Sequence, residues 1–198
     1  MFVVFEGIDG VGKTTIIEGV HEELVKSGIK TQIMKTPTEY LRNGSMWKVW
    51  TEQKVGLDDL FGYGLSIMAF GERISYQQHT ILPALENKII VLLDRYILSS
   101  LVYESGIIHQ ELSKLLITPD CKYVLDADIS VVIKRISERK YEELCDGEEL
   151  LLTNLKEKYL LLGALNGYEK IDTSYTSPQI HINSIVNQII KMYSNKNK

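Results

Sequence analysis

One stretch near the start of the chain constrains its fold more than any other. Phe2-Val3-Val4-Phe5 is a continuous apolar run suited to a buried strand, and it leads directly into Glu6-Gly7-Ile8-Asp9-Gly10-Val11-Gly12-Lys13-Thr14-Thr15. From Gly7 to Thr14 the pattern is Gly-x-x-x-x-Gly-Lys-Thr, placed after a strand and at the opening of a helix, which is the context a phosphate-binding P-loop requires. Gly7, Gly10 and Gly12 permit the crowded or left-handed backbone that turns successive N–H groups inward. The helix behind them points its unpaired N–H groups and positive dipole end at the same spot. Lys13 adds a movable charge for the outer phosphates, and the Thr14 hydroxyl suits Mg²⁺. Gly7, Asp9, Gly10, Val11, Gly12, Lys13, Thr14 and Thr15 are the expected cradle of a nucleoside triphosphate.

The rest of the chain alternates strand and helix patterns. Ile16, Ile17, Val20 and Leu24 mark one face of the helix after the loop. Residues 31–35 read as a strand, 36–44 as a turn-rich loop and 45–52 as a short helix. A long helix is expected over 58–82, closed or kinked at Pro83. Residues 88–93 form a continuous apolar strand, a helix starts near Ser99, and 110–117 form another. Residues 123–126 read as a strand, Asp128 as the N-cap of a helix, 151–162 as a further helix and 168–172 as the last strand. Ile182, Ile185, Val186 and Ile189 line the final helix. The pattern predicts an α/β fold, a P-loop NTPase-type three-layer sandwich whose sheet of about five parallel strands is flanked by helices.

Composition narrows the partners. At 198 residues with 44% hydrophobic content, the chain suits one domain spanning 1–198. A formal charge of −4 with no basic run argues against a nucleic-acid partner. No apolar segment approaches the roughly 20 residues of a membrane span. Cys121 and Cys145 lack a Cys-x-x-Cys pattern and a neighbouring His, which fits reduced thiols in the cytoplasm.

In parallel sheets ligands sit at the carboxyl ends of the strands, where the P-loop, Lys35, Asp94, Arg95 and Asp126 all fall. Asp9 can face a second substrate or serve as an ordinary turn residue. Asp94 at the end of a buried strand can hold the water shell of Mg²⁺, and Arg95 offers a fork for a phosphate; the alternative is a structural Asp–Arg pair. Arg73 is either solvated, paired with Glu72 or Gln77, or part of the site. Arg135 and Arg139, four apart on a helix that leads into a polar loop, can swing over a triphosphate or belong to a solvated charged face with Glu138, Glu142 and Glu143.

These residues resemble the thymidylate kinases, a family of nucleoside-monophosphate kinases. Phe5 to Thr15 looks like that family's opening motif, and Asp94-Arg95-Tyr96 with Ser99, Ser100 and Tyr103 is similar to its Asp-Arg-Tyr signature. Arg73 with Pro83-Ala84-Leu85, Pro119-Asp120, Leu125-Asp126, the pair Arg135 and Arg139, and Ile171-Asp172 keep its order. The resemblance implies ATP-dependent, Mg²⁺-assisted phosphorylation of dTMP. It also implies that Asp9 binds the sugar 3′-hydroxyl, Lys13 and Arg95 hold the phosphates, and Arg73 and Ser100 face the base. Lys35 and Ser99 complete the acceptor site, Tyr103 crowds the 2′ position, and Thr14 and Asp94 serve the metal. Some members carry a P-loop arginine where this chain has Gly10. The others supply it from the lid, here near 135–149, so Arg135 and Arg139 become the donors of charge. Such an arginine is worth ~10³–10⁵ in rate. Members of the family are usually homodimers through the long helix, for which Leu65, Met68 and Phe70 are available.

The chain also departs from the family. Lys35-Thr36-Pro37 stands for Arg-Glu-Pro, and Ala69 stands where an aromatic would stack on the base. Phe70, one place on, points about 100° away on a helix. A deoxynucleoside kinase, a monophosphate kinase of different base preference and a non-catalytic nucleotide-binding partner protein are the competing expectations.

Overall fold

A computed structural model describes residues 1–53, 60–103, 107–139 and 149–196. Its five strands are β1 (Phe2–Glu6), β2 (Thr31–Lys35), β3 (Ile90–Asp94), β4 (Cys121–Asp126) and β5 (Glu169–Asp172). They pair in the order β2-β3-β1-β4-β5, all parallel. β1 and β3 are buried along their whole length because helices cover both faces. Side chains alternate between the faces. Val3 and Phe5 join the cluster built with α1 (Lys13–Lys26) and α10 (Pro178–Lys196), whereas Phe2 and Val4 join Phe70, Ile81 and Ala84. Phe70 belongs to α4 (Leu60–Tyr76) and Ala84 to α5 (Leu82–Glu86). α9 (Glu149–Leu165) packs on β4, β5 and α6 (Ile97–Tyr103).

Pro83 does not close the long helix. A single π turn, Gln77–Ile81, lies between α4 and α5, and the helical path continues through the proline to Glu86. A wider turn just ahead of a proline relieves the crowding of its ring against the preceding carbonyls. The loop after β2 contains a short helix, α2 (Glu39–Arg42), too brief to show a periodicity. It is followed by α3 (Ser45–Gln53). The helix expected over 110–117 is α7, Ile107–Ser113. The segment beyond it is held by the Gln77 amide, which donates to Leu115 O (3.2 Å) and accepts from Ile117 N (2.7 Å).

After β4 comes α8 (Ile129–Arg139). Asp128 stands just ahead of it, and its carboxylate accepts from the Tyr175 hydroxyl at 2.7 Å. Cys121 is a free, buried thiol, while Cys145 lies outside the described residues. Among the described residues no helix is long and apolar enough to cross a membrane.

Candidate active site

The strand registers bring the polar ends together. Phe5 pairs with Asp94, Lys35 with Asp94, and Asp126 with Asp172, so Glu6, Lys35, Asp94, Asp126 and Asp172 end on one edge of the sheet. From that edge the P-loop crosses to α1 between β4 and α8. At Gly10 (φ 83°) an added Cβ would lie 2.9 Å from Val132 Cγ1 and 3.0 Å from Ile136 Cγ1. The loop therefore rests directly on α8, and no side chain fits at this position without moving one of them. Thr173, just past β5, clamps the loop from the other side by donating its hydroxyl to Val11 O at 2.7 Å.

The charged groups are tightly interlinked. Lys13 Nζ donates to Ile8 O (2.9 Å) and Gly7 O (3.0 Å) and stands 3.6 Å from Asp9 Oδ1. Arg95 donates through Nη2 to the same Asp9 oxygen and through Nη1 to the Tyr159 hydroxyl at 2.8 Å. Burial pushes the Asp9 carboxyl up, but the charges of Arg95 and Lys13 outweigh it and hold it well below the usual carboxylate range. Burial and the Arg95 charge lower the Lys13 ammonium, against the pull of Asp9 and Asp94.

Arg95 has a left-handed backbone, φ 65°, which is rare outside glycine. Three contacts fix it. Its N–H donates to Phe5 O (2.9 Å), its carbonyl accepts from the Thr36 hydroxyl (2.7 Å), and the next N–H, of Tyr96, donates to Glu6 Oε1 (2.7 Å). Thr36 also accepts from Arg73 Nε (3.2 Å), while Arg73 Nη1 donates to Ser100 Oγ (2.7 Å). Arg73 is thus buried and turned into the site. The expected alternatives for it do not arise: Glu72 accepts from the Thr38 N–H and hydroxyl, and Gln77 serves Ile117 and Tyr96.

Ser99 is buried, and its hydroxyl donates to Glu6 Oε2 at 2.5 Å. Tyr103 is half-buried, its ring edge-on to Tyr159 at 6.5 Å. Phe70 is fully buried in the core beneath α4, its ring 5.3 Å from that of His109, so neither Ala69 nor Phe70 presents an aromatic to the crevice.

Thr14 and Thr15 are exposed on the first turn of α1. Asp94 Oδ2 stands 3.6 Å from Lys35 Nζ, and its buried Oδ1 has no hydrogen-bond partner among the described residues. A buried carboxylate oxygen left unpaired beside a P-loop fits the water shell of Mg²⁺, which keeps several waters and needs few protein ligands.

Arg135 is docked rather than extended. It donates through Nη2 to Thr173 O (2.7 Å) and through Nη1 to Gly10 O (3.4 Å). Gly12, Thr15 and Ile16 on one side and Arg135, Glu138, Thr173 and Pro178 on the other line a cavity of about 300 Å³. The Arg139 side chain and residues 140–148, where most of the expected lid falls, lie outside the described residues.

Glu6, Thr36, Tyr159 and Thr173 were not among the residues expected from sequence. Only Tyr159 carried a signal: a hydroxyl on an otherwise apolar helix face needs a buried partner.

The thymidylate kinase family model matches residues 5–185. The chain is 31% identical to a thymidylate kinase of Leptospira interrogans (strain 56601) over 204 residues, covering 98% of this chain and 93% of that protein. Similarity to a thymidylate kinase of Leptospira borgpetersenii is 34% over 152 residues, 71% of this chain and 70% of the other. A probable thymidylate kinase of Caldivirga maquilingensis is 27% identical over 100% of this chain and 95% of its own length.

Proposed function

This chain belongs to the thymidylate kinase family, and from that premise we propose that it transfers the γ-phosphoryl group of ATP to dTMP, giving ADP and dTDP. The observation that carries the reading is that Lys13 and Arg95 meet on one carboxylate, that of Asp9. Lys13 belongs to the donor's P-loop and Arg95 to the acceptor side. Cations that share one carboxylate stand close enough to share one transferring group.

Phosphoryl transfer needs two phosphates held in line and the charge of the moving group neutralised. Lys13 and the P-loop N–H groups hold the donor. Arg95 and Lys35 hold the acceptor phosphate, Asp9 receives the 3′-hydroxyl, and Arg73 with Ser100 faces the base. Tyr103 stands where a ribose 2′-hydroxyl would enter. Mg²⁺ would be held by Thr14 and Asp94, where it supplies charge neutralisation at the outer phosphates. The cavity beside Arg135 suits the donor's base, and Arg139 at the lid supplies the remaining positive charge.

Two copies pair through α4. On that helix Met68 and Gly71 are exposed, whereas Leu65 and Phe70 are core. We place the enzyme in the cytoplasm.

A broader acceptor range has one observation in its favour, the burial of Phe70 and the absence of a stacking ring at Ala69. An ADP-release assay with ATP, Mg²⁺ and a panel of nucleosides and monophosphates distinguishes the readings. Highest kcat/KM with dTMP is expected. Activity on thymidine but not on dTMP, or no activity with any acceptor, would overturn the proposal.

A further inference from the structure

Glu6 has no exposed surface, Ser99 3% and Tyr159 1%. A carboxylate buried this completely is unfavourable unless it has a full set of partners. Its partners form a chain that ends at Arg95. A guanidinium can only donate, so at 2.8 Å Arg95 Nη1 donates and the Tyr159 oxygen accepts. The Tyr159 O–H is then left to donate to Ser99 Oγ at 2.8 Å, and the Ser99 O–H donates to Glu6 Oε2 at 2.5 Å. Glu6 Oε1 accepts from the N–H groups of Tyr96 (2.7 Å) and Ser99 (3.2 Å).

We infer that Glu6 is a positioning residue for Arg95, acting through Ser99 and Tyr159. This rests on the reading above, in which Arg95 binds the acceptor phosphate. Every proton in the chain has a fixed direction, set by a cation that cannot accept at one end and an anion at the other. Each bond polarises the next: losing the Tyr159 hydroxyl removes the buried partner of Arg95 Nη1, and losing that of Ser99 leaves the Tyr159 hydroxyl without its acceptor and weakens its hold on Arg95. The opposite hold on the guanidinium, through Asp9, is 30% exposed and lies at the edge where substrate enters. The Tyr159 hold is sealed inside the protein, so it keeps Arg95 aimed when Asp9 turns to the sugar. Glu6 also fixes the backbone beside the left-handed residue by receiving the Tyr96 N–H.

The test is steady-state kinetics with ATP and dTMP on Glu6→Gln, Ser99→Ala, Ser99→Thr, Tyr159→Phe and the double variant Ser99→Ala/Tyr159→Phe, with melting temperatures for each. In Glu6→Gln the amide N–H₂ facing Ser99 would donate, which reverses the chain and turns two donors towards each other at Arg95. Small misplacements at a transfer site cost up to about a hundredfold. Tyr159→Phe and Ser99→Ala are therefore each expected to lower kcat about ten- to a hundredfold, with KM for ATP near the parent value. The double variant should lose no more than the worse single one, because one break already opens the chain. Ser99→Thr, which keeps the hydroxyl, should restore most of the rate. Should Glu6→Gln fail to fold, the Ser99 and Tyr159 variants still carry the test. Parent-like kcat in Tyr159→Phe, additive losses in the double variant, or losses that only follow melting temperature would overturn the inference while leaving the kinase reading intact. A parent enzyme inactive on dTMP would overturn both.

Discussion

Glu6 and Asp9 are two carboxylates on one short segment, and the fold drives them in opposite directions. Burial raises Glu6 above its ordinary 4.5, and the hydrogen bonds from Ser99 and Tyr96 offset this only in part. Asp9 is held low by Arg95 and Lys13 despite burial. The charged and titratable groups facing Glu6 are Arg95 after β3, Arg73 on α4, Tyr159 on α9 and Tyr168 ahead of β5. Asp9 stays ionised as pH falls, whereas Glu6, raised by burial, takes up a proton sooner, and that proton removes the acceptor at the end of its chain. The substrate phosphates, with a second pKa of about 6, give parent and variant alike an acid limb. The kcat of the parent should fall more steeply in acid than that of Glu6→Gln, and superimposable limbs would count against the assignment. Stability runs the other way. A raised carboxyl contributes stability that is full below 4.5 and lost as pH rises through the folded value, whereas the Asp9 contribution is present at neutral pH and lost in strong acid. Asp9, Lys13 and Arg95 could be found from sequence because the P-loop spacing and a strand-end Asp-Arg mark them. Glu6 and Thr36 carry no such mark and their partners lie 93 and 59 residues away, while the Tyr159 hydroxyl on an apolar helix face signals a buried partner without saying that it is Arg95, 64 residues away.

At the scale of elements, the contact between α8 and the P-loop explains the glycine at position 10. Both Gly10 (φ 83°) and Gly12 (φ 89°) are left-handed, but a Cβ at Gly10 meets Val132 and Ile136, whereas at Gly12 the nearest atom is 3.9 Å away. Gly10→Ala should therefore cost about 1–3 kcal/mol through overlap in addition to the strain that Gly12→Ala shares. Urea denaturation of the two variants measures the difference, and equal losses would show that α8 does not press on the loop. The same contact leaves no room for a side chain at position 10 and makes a charge supplied from the lid the consistent arrangement. Most elements were legible: the apolar runs of β1 and β3 and the helical faces of α1 and α10 stand out in the sequence. The path through Pro83 was not, since the π turn that accommodates it follows from packing against β3 and from the Gln77 bonds rather than from local propensity. The short α2 is likewise held by tertiary contact, its N-cap Thr38 receiving no side-chain cap of its own and donating instead to Glu72 on α4.

For the molecule as a whole, five parallel strands deliver their polar ends to one edge, and the P-loop, Arg95 and Arg73 converge there although the net charge is −4. Overall charge says little about the field inside a cleft, where a few buried cations dominate. The central claim is that this one cleft holds two nucleotides with their phosphates end to end. Calorimetric titration with adenosine and thymidine joined 5′ to 5′ through five phosphates tests it directly. One molecule should bind per chain, more tightly than either ATP or dTMP, and either nucleotide alone should displace it. Displacement by ATP with dTMP binding undisturbed would contradict the account.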